Sequence, residues 1–474
     1  MITNAAPPAT GGRSFAVVNP ATLETIATVP DQGPVEARAA VDAAAAAFPA
    51  WSGLSGRERG RILLKLGGLM RDATEELAAL ITSECGKPLA QARDEARSSA
   101  AFVTWYGEEA KRAYGRVIPA ADRAKRISII HTAAGVAAAI SPWNFPLGLF
   151  SRKVAAALAA GCTVVGKPAE ATPLVALRFA ELAAAAGVPA GAFTVVTGAP
   201  APIVETWMND PRIMRVSFTG STEVGKLLAR QAAASLKRLT LELGGSAPYI
   251  VFADADLGLA IDGLAKSKVR NAGQVCAAPN RLYVHEDVLE PFLAGLRSML
   301  DGIGVGDPRS PEVRMGPLIS ETALRNVEAL LAEARASGAS VEECGRYVGT
   351  ASDRKGWYVR PHVVLGMDES HRLVREEAFG PIFTVLPFRD EADVLARAND
   401  SPYALGAYVF TNDLRRAARV SEALQAGIVG VNDALPASIE APFGGYRESG
   451  YGREGGAAGL YEFLEEKTIS VRVS

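Results

Sequence analysis

Residues Val136-Ala-Ala-Ala-Ile-Ser-Pro-Trp-Asn-Phe-Pro-Leu147 decide how this chain can fold. The apolar run Val136–Ile140 is typical of a short buried strand, and the helical spacing over Leu147–Ala160 indicates a connecting helix. Another apolar run, Cys162–Gly166, predicts the next strand. Strands that alternate with helices at this pitch form parallel sheets with helices on both faces. The sequence therefore predicts an α/β fold.

The same alternation continues after residue 166 and resumes after residue 248 as a second series. In the first series we predict strands at Phe193–Thr197, Ile213–Phe218 and Leu239–Leu243, with helices at Pro173–Ala186, Pro202–Asn209 and Thr222–Ala233. In the second we predict strands at Tyr249–Phe252, Leu282–Val284, Phe383–Pro387 and Tyr408–Thr411, with helices at Leu257–Asn271, Val288–Leu300, Arg325–Ala336 and Ala392–Ala398. We interpret the two series as two separate parallel sheets. Ligands bind such sheets at the carboxyl ends of the strands.

The part of the chain before residue 136 is mainly helical by its apolar spacing. We predict helices at Val35–Phe48, Arg57–Cys85 and Leu89–Tyr114, which pack against the first sheet. Lys125–Thr132 instead alternates apolar and polar residues, which indicates one strand of a half-exposed hairpin.

Composition and residue spacing exclude several classes of function. At 474 residues the chain is too long for a single core, so two or three domains are expected. A net charge of −2 gives no sign of a nucleic-acid partner, and no apolar stretch is long enough to span a bilayer. The start, Met1–Gly12, lacks the basic and apolar parts of a signal peptide. The four cysteines have no paired or metal-type spacing, which fits a reducing cytoplasm without a metal site.

Three side chains in separate stretches form a set suited to acyl-enzyme chemistry. Cys276 lies in Asn271-Ala-Gly-Gln-Val-Cys-Ala-Ala-Pro-Asn-Arg281, Glu242 in Leu241-Glu-Leu-Gly-Gly-Ser-Ala-Pro248, and Asn144 in Ser141-Pro-Trp-Asn-Phe-Pro146. A thiolate can attack a carbonyl, an amide can hold the oxyanion, and a carboxylate can activate water. Taken singly, each has an ordinary explanation: a small buried hydrophobe, a strand-end charge and a turn residue. Their combination predicts a catalytic site.

Over nearly its whole length the chain resembles the aldehyde dehydrogenase superfamily, because Pro-Trp-Asn-Phe-Pro, Glu-Leu-Gly-Gly and Gly-Gln-Val-Cys occur in this order. The resemblance implies that Cys276 is the nucleophile, Glu242 the general base and Asn144 the oxyanion donor.

The resemblance also implies a division of the chain. We expect a Rossmann-like parallel-sheet cofactor domain (1–120 and 140–241), an α/β catalytic domain (242–435), and a small β oligomerisation arm with a C-terminal segment (121–139 and 436–474). The arm, made of the hairpin 121–133 and the C-terminal strand Thr468–Val473, is expected to join the subunits of a homodimer or homotetramer.

A further group of residues points to a nicotinamide cofactor. Phe218-Thr-Gly-Ser-Thr-Glu-Val-Gly225 is typical of a strand end, a glycine turn and a helix start, where backbone amides can meet a pyrophosphate. It lacks the Gly-x-Gly-x-x-Gly fingerprint, so a plain strand-helix turn is the alternative. The resemblance implies NAD or NADP, held by Ser141, Trp143, Lys167, Glu170, Gly220, Ser221, Gly225, Leu243, Glu377 and Phe379.

NAD is expected over NADP because of Glu170. The resemblance places Lys167 and Glu170 at the adenosine ribose, where a carboxylate accepts hydrogen bonds from two hydroxyls and repels a 2′-phosphate. The ammonium group of Lys167 leaves NADP possible. Glu377 and Phe379 match the residues that hold the nicotinamide ribose and flank the ring.

The implied activity is oxidation of an aldehyde to an acid. Cys276 adds to the aldehyde, hydride leaves for the nicotinamide, and Glu242 activates the water that releases the acid from the thioester. A CoA-acylating relative would not need a water-activating acid, so Glu242 argues against it. A non-catalytic protein that kept the fold disagrees with the intact catalytic set. Ala278 stands where many semialdehyde-type relatives carry a second cysteine, so the chain lacks that partner for a disulfide switch.

Two arginines and a serine indicate the substrate. Arg152 lies on the helix after Asn144, Arg270 on the helix that leads to the catalytic loop, and Ser438 just before Pro442-Phe-Gly-Gly. Singly, each is explained as a surface charge or a loop hydroxyl. Together they match the carboxylate-binding set of the succinate-semialdehyde dehydrogenase branch, and guanidinium groups suit a carboxylate. We expect succinate semialdehyde, with a bulkier semialdehyde or an aromatic or aliphatic aldehyde as the alternative.

Overall fold

The computed structural model describes residues 9–350 and 354–473. Most of the predicted polar start, residues 1–8, lies outside the described residues. Within the described residues, no helix combines the length and the apolar character needed to cross a bilayer.

Helices and strands alternate along most of the described chain. The helices are α1 (Pro34–Ser52), α2 (Gly56–Asp72), α3 (Thr74–Cys85), α4 (Leu89–Glu109), α5 (Gly148–Ala160), α6 (Leu174–Ala186), α7 (Pro200–Asn209), α8 (Thr222–Ala233), α9 (Leu257–Ser267), α10 (Leu289–Asp301), α11 (Glu321–Ala336), α12 (Arg372–Arg375), α13 (Glu391–Asn399), α14 (Leu414–Ala423) and α15 (Gly456–Tyr461). Short 3₁₀ helices occur at Thr10–Gly12, Arg270–Gly273 and Glu286–Val288. The strands are β1 (Ser14–Val18), β2 (Thr25–Pro30), β3 (Arg116–Ile118), β4 (Lys125–Ala133), β5 (Val136–Ile140), β6 (Thr163–Lys167), β7 (Phe193–Val195), β8 (Ile213–Thr219), β9 (Arg238–Glu242), β10 (Ala247–Val251), β11 (Pro279–His285), β12 (Gly304–Val305), β13 (Ser340–Glu343), β14 (Arg346–Tyr347), β15 (His362–Leu365), β16 (Ile382–Phe388), β17 (Tyr403–Ala404), β18 (Gly406–Phe410), β19 (Ile428–Val431), β20 (Tyr446–Arg447), β21 (Gly450–Tyr451) and β22 (Leu464–Arg472).

The first sheet has the strand order β21-β9-β8-β5-β6-β7. Strands β5 to β9 are parallel, and β21 is antiparallel to β9. The chain runs outward from β5 to β7 and then returns to β8 on the other side of β5. Ligands bind at such a reversal of strand order, outside the carboxyl ends of the strands. The predicted parallel sheet is confirmed, and its crevice lies after β5 and β8.

The side chains of β5 alternate between two apolar clusters, as the period of a strand requires. Ala137 and Ala139 belong to the cluster with α2 to α6, whereas Val136, Ala138 and Ile140 belong to the cluster with α1, α7 and α8. Helices therefore cover both faces of the strand, which explains its unbroken apolar sequence.

The second sheet has the order β13-β15-β16-β11-β10-β18-β19 and is parallel except for β13. Residues 243–246 join it to the first sheet, because they connect β9 to β10. Cys276 lies just before the amino end of β11. The carboxyl edge of the first sheet therefore meets the amino edge of the second, and Asn144 Nδ2 donates across this junction to the Gln274 carbonyl at 3.0 Å.

The third sheet contains β22, β4 and β3, all antiparallel. Strand β22 pairs with β4 from Leu464↔Ala133 to Arg472↔Lys125. Apolar side chains are exposed on it, including Val117 at 82% and Val471 at 49%. Strand β3 precedes residue 121, where the arm is predicted to begin, and the domain boundaries stay a prediction.

Three predicted helices are shorter than their apolar spacing indicates, and the one predicted over Leu89–Tyr114 ends at Glu109. The helix predicted over Arg57–Cys85 is two helices, because Ala73 leaves the helical conformation (φ −89°, ψ 12°) between α2 and α3. The helix predicted over Leu257–Asn271 ends at Ser267. The chain must turn sharply there to bring Cys276 back to the first sheet.

Candidate active site

The catalytic loop begins with a left-handed turn. Asn271, Ala272 and Gly273 have φ values of 50°, 54° and 75°. A Cβ atom on Gly273 would lie 2.2 Å from the Gly380 carbonyl oxygen, so only glycine fits this approach. Non-glycine residues rarely adopt this conformation, and here tertiary packing imposes it.

Gln274 ties this turn to its surroundings. Its side-chain amide donates to the Asn271 carbonyl at 2.9 Å and accepts from the N–H of Ile319 at 3.0 Å. Its backbone carbonyl accepts from Nδ2 of Asn144 at 3.0 Å. An amide nitrogen carries two N–H groups, so Asn144 keeps a second donor for an oxyanion beside Cys276.

The backbone of Asn144 is anchored from the opposite side. Its carbonyl accepts from Lys87 Nζ at 2.9 Å and from Asn271 Nδ2 at 3.0 Å. Lys87 is fully buried and forms an ion pair with Glu95, whose Oε1 accepts from the N–H of Leu147 at 3.0 Å. A buried ion pair thus holds the loop that carries the oxyanion amide.

Two cavities meet at Cys276. The larger has a volume of about 520 Å³ and lies between α4, α5 and the segment 434–443. The smaller has a volume of about 270 Å³ and lies at the carboxyl ends of β5 and β8. The smaller cavity is lined by Pro142, Trp143, Asn144, Thr219, Gly220, Ser221, Leu243, Gly244, Cys276, Glu377 and Phe379. A thiol at this junction can react with a substrate on one side while a cofactor lies on the other.

The surroundings of Cys276 disfavour its thiolate. Burial raises the pKa of the Cys276 thiol to about 12, and the carboxylates of Glu377 and Glu242 also raise it. The Arg152 guanidinium and the Ala277 backbone N–H oppose this shift. The thiol is therefore protonated at neutral pH, and nucleophilic attack requires a base that takes its proton.

Glu242 ends β9 and is buried close to the nucleophile. Within the described residues, neither of its carboxylate oxygens has a hydrogen-bond partner. Burial raises the pKa of Glu242 well above its usual range, Glu454 raises it further, and Lys153 and Arg152 oppose the shift. A general base that works near neutral pH needs such a raised pKa.

Beside Glu242 lies a buried cluster of charges, of which Lys153 and Glu454 were not predicted from the sequence. Lys153 is fully buried, and its Nζ forms an ion pair with Glu454 and donates to Thr219 Oγ1 at 2.6 Å. The Nε of Arg152 lies 3.5 Å from the other carboxylate oxygen of Glu454. Glu454 follows Lys153 by 301 residues, so no local pattern connects them.

The glycine turn after β8 is shaped for close backbone approach. A Cβ atom on Gly220 would lie 2.3 Å from the Phe218 ring, and one on Gly225 would lie 2.5 Å from the Leu243 side chain. Ser221 Oγ accepts from the N–H of Val224 at 3.3 Å and caps α8. The other N–H groups of a first helical turn can bind a phosphate.

The inner end of the smaller cavity is aromatic and acidic. Trp143 and Phe379 pack edge to face with ring centroids 5.5 Å apart. Glu377 Oε1 accepts from the N–H of Gly245 at 3.3 Å. Burial raises the pKa of Glu377 to about 8, while the Gly245 hydrogen bond and the charge of Lys268 oppose that rise.

Ser141, Lys167 and Glu170 are not among the residues that line the smaller cavity. The N–H of Ser141 donates to the Lys167 carbonyl at 3.1 Å. Lys167 is buried, and its Nζ donates to the Pro168 carbonyl at 2.7 Å and to Glu170 Oε1 at 2.6 Å. The Glu170 side chain is 44% exposed, so it can meet a ligand from solvent.

The cleft fits a dinucleotide by two separate observations. A Cβ atom on Gly244 would lie 2.8 Å from Glu377 Oε2, so glycine lets the backbone approach this carboxylate in the lining of the cleft. Ser141 Oγ and Asn144 Oδ1 are buried and have no hydrogen-bond partner within the described residues. Such atoms are costly unless a ligand or water binds them.

The predicted substrate residues Arg152, Arg270 and Ser438 all line the larger cavity. The Arg270 guanidinium lies over the Phe145 ring, 4.8 Å from its centroid. The prediction that Arg270 lies on the helix before the loop is wrong, because α9 ends at Ser267 and Arg270 begins the 3₁₀ turn. The turn nevertheless places the guanidinium in the cavity.

Arg152 lies between two aromatic rings. Its guanidinium carbon is 5.1 Å from the centroid of Phe102 and 5.3 Å from that of Phe443. The sequence gives neither ring a role: Phe102 lies in the helical run Leu89–Tyr114, where an aromatic residue is most often part of the core, and Phe443 lies in Pro442-Phe-Gly-Gly.

Comparison with known proteins identifies the family. A sequence model described as the aldehyde dehydrogenase family matches residues 8–469. The chain belongs to this family. This aldehyde dehydrogenase is 45% identical over 463 residues to the succinate-semialdehyde dehydrogenase [NADP(+)] of Escherichia coli, covering 98% of this chain and 95% of the relative. It is 43% identical over 461 residues to the glutarate-semialdehyde dehydrogenase of Pseudomonas aeruginosa, covering 97% and 95%.

Solved structures agree with these relatives. The crystal structure of the succinate-semialdehyde dehydrogenase from Burkholderia pseudomallei matches this aldehyde dehydrogenase with a TM-score of 0.96 at 42% identity. The match covers 98% of this chain and 96% of that one. The predicted family, its α/β fold and NAD(P)-dependent aldehyde oxidation are confirmed.

Proposed function

We propose that this enzyme oxidises an aldehyde whose far end carries a carboxylate, and that succinate semialdehyde is its substrate. The observation that carries the proposal is the presence of Arg152 and Arg270 in the same cavity as Cys276. Two guanidinium groups beside a nucleophile select a substrate with an anionic tail. Ser438 adds a hydroxyl donor to the same cavity.

Arg270 is the better placed of the two for an incoming carboxylate. Within the described residues its guanidinium lies over Phe145 and has no hydrogen-bond acceptor. Burial lowers the pKa of Arg270, and the charges of Glu95 and Asp94 oppose the shift. A partly desolvated cation with free N–H groups gains most from a charged hydrogen bond, about 1.5–3 kcal/mol for each bond.

The relatives support this class of substrate. The similar proteins from Escherichia coli and Burkholderia pseudomallei are named for succinate semialdehyde, and that from Pseudomonas aeruginosa for glutarate semialdehyde. Glutarate semialdehyde, which is one methylene longer, is the second candidate. The larger cavity, with a volume of about 520 Å³, has room for this longer substrate, so glutarate semialdehyde stays a candidate.

The proposed mechanism assigns one role to each residue around Cys276. The Cys276 thiol gives its proton to solvent water, and the sulfur adds to the aldehyde carbon. The oxygen of this adduct becomes negative and is stabilised by Asn144 Nδ2 and the backbone N–H of Cys276. NAD(P), when bound in the smaller cavity, supplies the hydride acceptor that converts the adduct to a thioester. Glu242 then takes a proton from water as the water attacks the thioester, and the acid and the Cys276 thiol are released.

We propose NAD rather than NADP as the preferred cofactor. Glu170 presents a half-exposed carboxylate after β6, and such a group accepts hydrogen bonds from ribose hydroxyls and repels a 2′-phosphate. Lys167 already pairs with Glu170 at 2.6 Å, so its charge is not free to attract that phosphate. The Escherichia coli relative is named for NADP(+). The kcat/KM values of this enzyme with NAD and with NADP therefore test the proposal.

We also propose a symmetric homo-oligomer, a dimer or a tetramer, built on β3, β4 and β22. Exposed apolar residues on a short sheet, such as Val117 and Val471, favour burial against another subunit.

The proposed substrate is tested by kcat/KM values for succinate semialdehyde, glutarate semialdehyde and butyraldehyde, which lacks the acid. One charged hydrogen bond corresponds to a preference of roughly 10- to 100-fold for an acid-tailed substrate. Arg270→Leu should remove most of this preference. Arg325→Leu, which removes an exposed guanidinium on α11, should leave it unchanged. Equal values for all three aldehydes would contradict the proposal.

A further inference from the structure

Arg152 faces two sites at once. It lines the larger cavity, and its Nε lies 3.5 Å from Oε2 of Glu454. Both atoms are buried, and within the described residues neither has a hydrogen-bond partner. A buried cation and a buried carboxylate are costly when they lack hydrogen bonds. Each of these two groups therefore depends on the other to compensate its charge.

The second oxygen of Glu454 is fully engaged. Oε1 forms an ion pair with Lys153 and accepts from Ser217 Oγ at 3.2 Å. Arg152 is therefore the neighbour that faces the remaining oxygen, and a loss of its charge would leave Oε2 without compensation.

This cluster is joined to the general base through the sheet. Lys153 Nζ donates to Thr219 Oγ1 at 2.6 Å, and Thr219 pairs directly with Glu242 across β8 and β9. A change in charge at Glu454 therefore acts on Glu242 over a short distance inside the protein, where charges are weakly screened.

A second connection runs through the segment that lines the cavity. Phe443, over which Arg152 lies, exchanges two backbone hydrogen bonds with Glu454, at 2.6 and 2.8 Å. The next residue, Gly444, packs against the general base, because a Cβ atom there would lie 2.5 Å from Glu242 Oε1. Phe443, Gly444 and Glu454 thus form one small unit that contacts both Arg152 and Glu242.

Several charged or titratable groups face this unit, and Arg152 is one of the cations among them. The groups are Arg152 and Lys153 from α5, Arg453 and Glu454 from the segment before α15, Tyr106 from α4, Glu242 from β9, Cys276 from the catalytic loop, and Glu377, which faces Cys276 from the segment after α12. Arg152 opposes the rise in the pKa of both Glu242 and Cys276. Arg270, by contrast, faces Glu95 and Asp94.

We propose that Arg152 is a positioning residue for catalysis in addition to its contact with the substrate. It holds Glu454 and supplies the positive charge that allows Glu242 and Cys276 to lose their protons, whatever the tail of the aldehyde. The contact with the substrate rests on the proposed function, whereas the action on Glu242 and Cys276 does not.

The first test uses butyraldehyde, so that no carboxylate tail contributes. An opposite charge nearby typically shifts a carboxyl pKa by one unit or more. Arg152→Leu should therefore move the acidic limb of the kcat–pH profile upward by about one pH unit and lower kcat on that limb about tenfold. Arg152→Lys should keep the limb near its original position. A fall in kcat without a shift of the limb would show a purely structural role and overturn the inference.

The second test does not depend on turnover. Alkylation of Cys276 by iodoacetamide, followed by mass spectrometry of its peptide, reports how readily the thiol loses its proton. At a fixed pH, Arg152→Leu should slow this alkylation several-fold, and Arg152→Lys should restore it. Thermal unfolding verifies that the variants are folded, and an unchanged alkylation rate in folded Arg152→Leu would contradict the inference.

Arg270→Leu is the matched control, because it removes the same charge from the same cavity. We expect it to weaken the preference for an acid-tailed aldehyde without moving the kcat–pH limb. If Arg270→Leu keeps that preference, the proposed substrate is wrong, and the shift caused by Arg152→Leu still supports the inference. If Arg270→Leu moves the limb as far as Arg152→Leu does, a specific action of Arg152 is refuted.

Discussion

Replacing Glu242 by glutamine should separate the two halves of the reaction. Glutamine has nearly the same shape but does not act as a base. Because the carboxylate oxygens of Glu242 have no hydrogen-bond partner within the described residues, the substitution breaks no such contact. Cys276 and Asn144 keep their positions, so hydride transfer should proceed and the thioester should accumulate.

The expected fall in kcat follows from the role of Glu242 as a general base, and its pH dependence follows from the burial of Glu242. Loss of a positioned general base typically costs 10²–10⁴ in rate, and this loss should appear in steady-state kcat. Burial and Glu454 raise the pKa of Glu242, so its basic form is gained only as pH rises through that raised value. Wild-type kcat should therefore increase with pH over that range, and the variant should lose this dependence. The first turnover should not slow, because solvent water rather than Glu242 accepts the proton of the Cys276 thiol, and the charge of Glu242 raises the pKa of that thiol.

Rapid-mixing measurement of NADH absorbance distinguishes the two halves. Glu242→Gln should release about one NADH per subunit in a burst and then turn over slowly. Glu242→Asp, which keeps a carboxylate one methylene shorter, should show a smaller loss and retain a pH-dependent limb. Normal steady-state turnover in Glu242→Gln would refute the role of Glu242 as base, and so would the absence of a burst in a variant that still binds NAD.

Four further predictions concern the nucleophile, the oxyanion amide, the cofactor and the oligomeric state. Cys276→Ala should abolish oxidation while the Kd for NAD, measured by fluorescence titration, stays close to that of the wild type; a large rise in Kd would show that the thiol serves the cofactor. Asn144→Ala should lower kcat by roughly 10²–10³, and a fall of less than about threefold would place the oxyanion elsewhere. Glu170→Ser should narrow the ratio of kcat/KM between NAD and NADP, whereas a wild-type preference for NADP would overturn the role given to Glu170. In solution, light scattering at micromolar concentration should report a dimer or a tetramer, and a monomer would contradict the proposed arm.

The parallel strands are the part of the fold that sequence patterns predict best. A strand covered on both faces, such as Val136–Ile140, is an unbroken apolar run bounded by turn residues, and this signal is local. The break at Ala73 gives no local signal, because the residues from Leu69 to Ser83 have helical spacing and contain neither proline nor glycine. The left-handed conformation of Asn271 and Ala272 is equally hidden, since packing of the following glycine against Gly380 imposes it.

The candidate site shows the same division between local and distant signals. Cys276, Glu242 and Asn144 each lie in a recognisable motif, and the structure brings their three stretches together. Lys153 and Glu454 carry no motif, and their pairing depends on a contact across 301 residues. A buried ion pair of this kind becomes visible only in three dimensions.

The meeting of two cavities at Cys276 has a consequence for how such an enzyme can change. Among the described residues, Cys276 is the one that lines both cavities, and apart from the adjacent residues Asn144 and Phe145 the other walls come from different segments of the chain. Mutations at sites that share no partner usually combine additively. A protein engineer, or natural selection, can therefore exchange the aldehyde that is accepted without retuning the nucleotide, and libraries randomised in each cavity can be screened separately and then recombined.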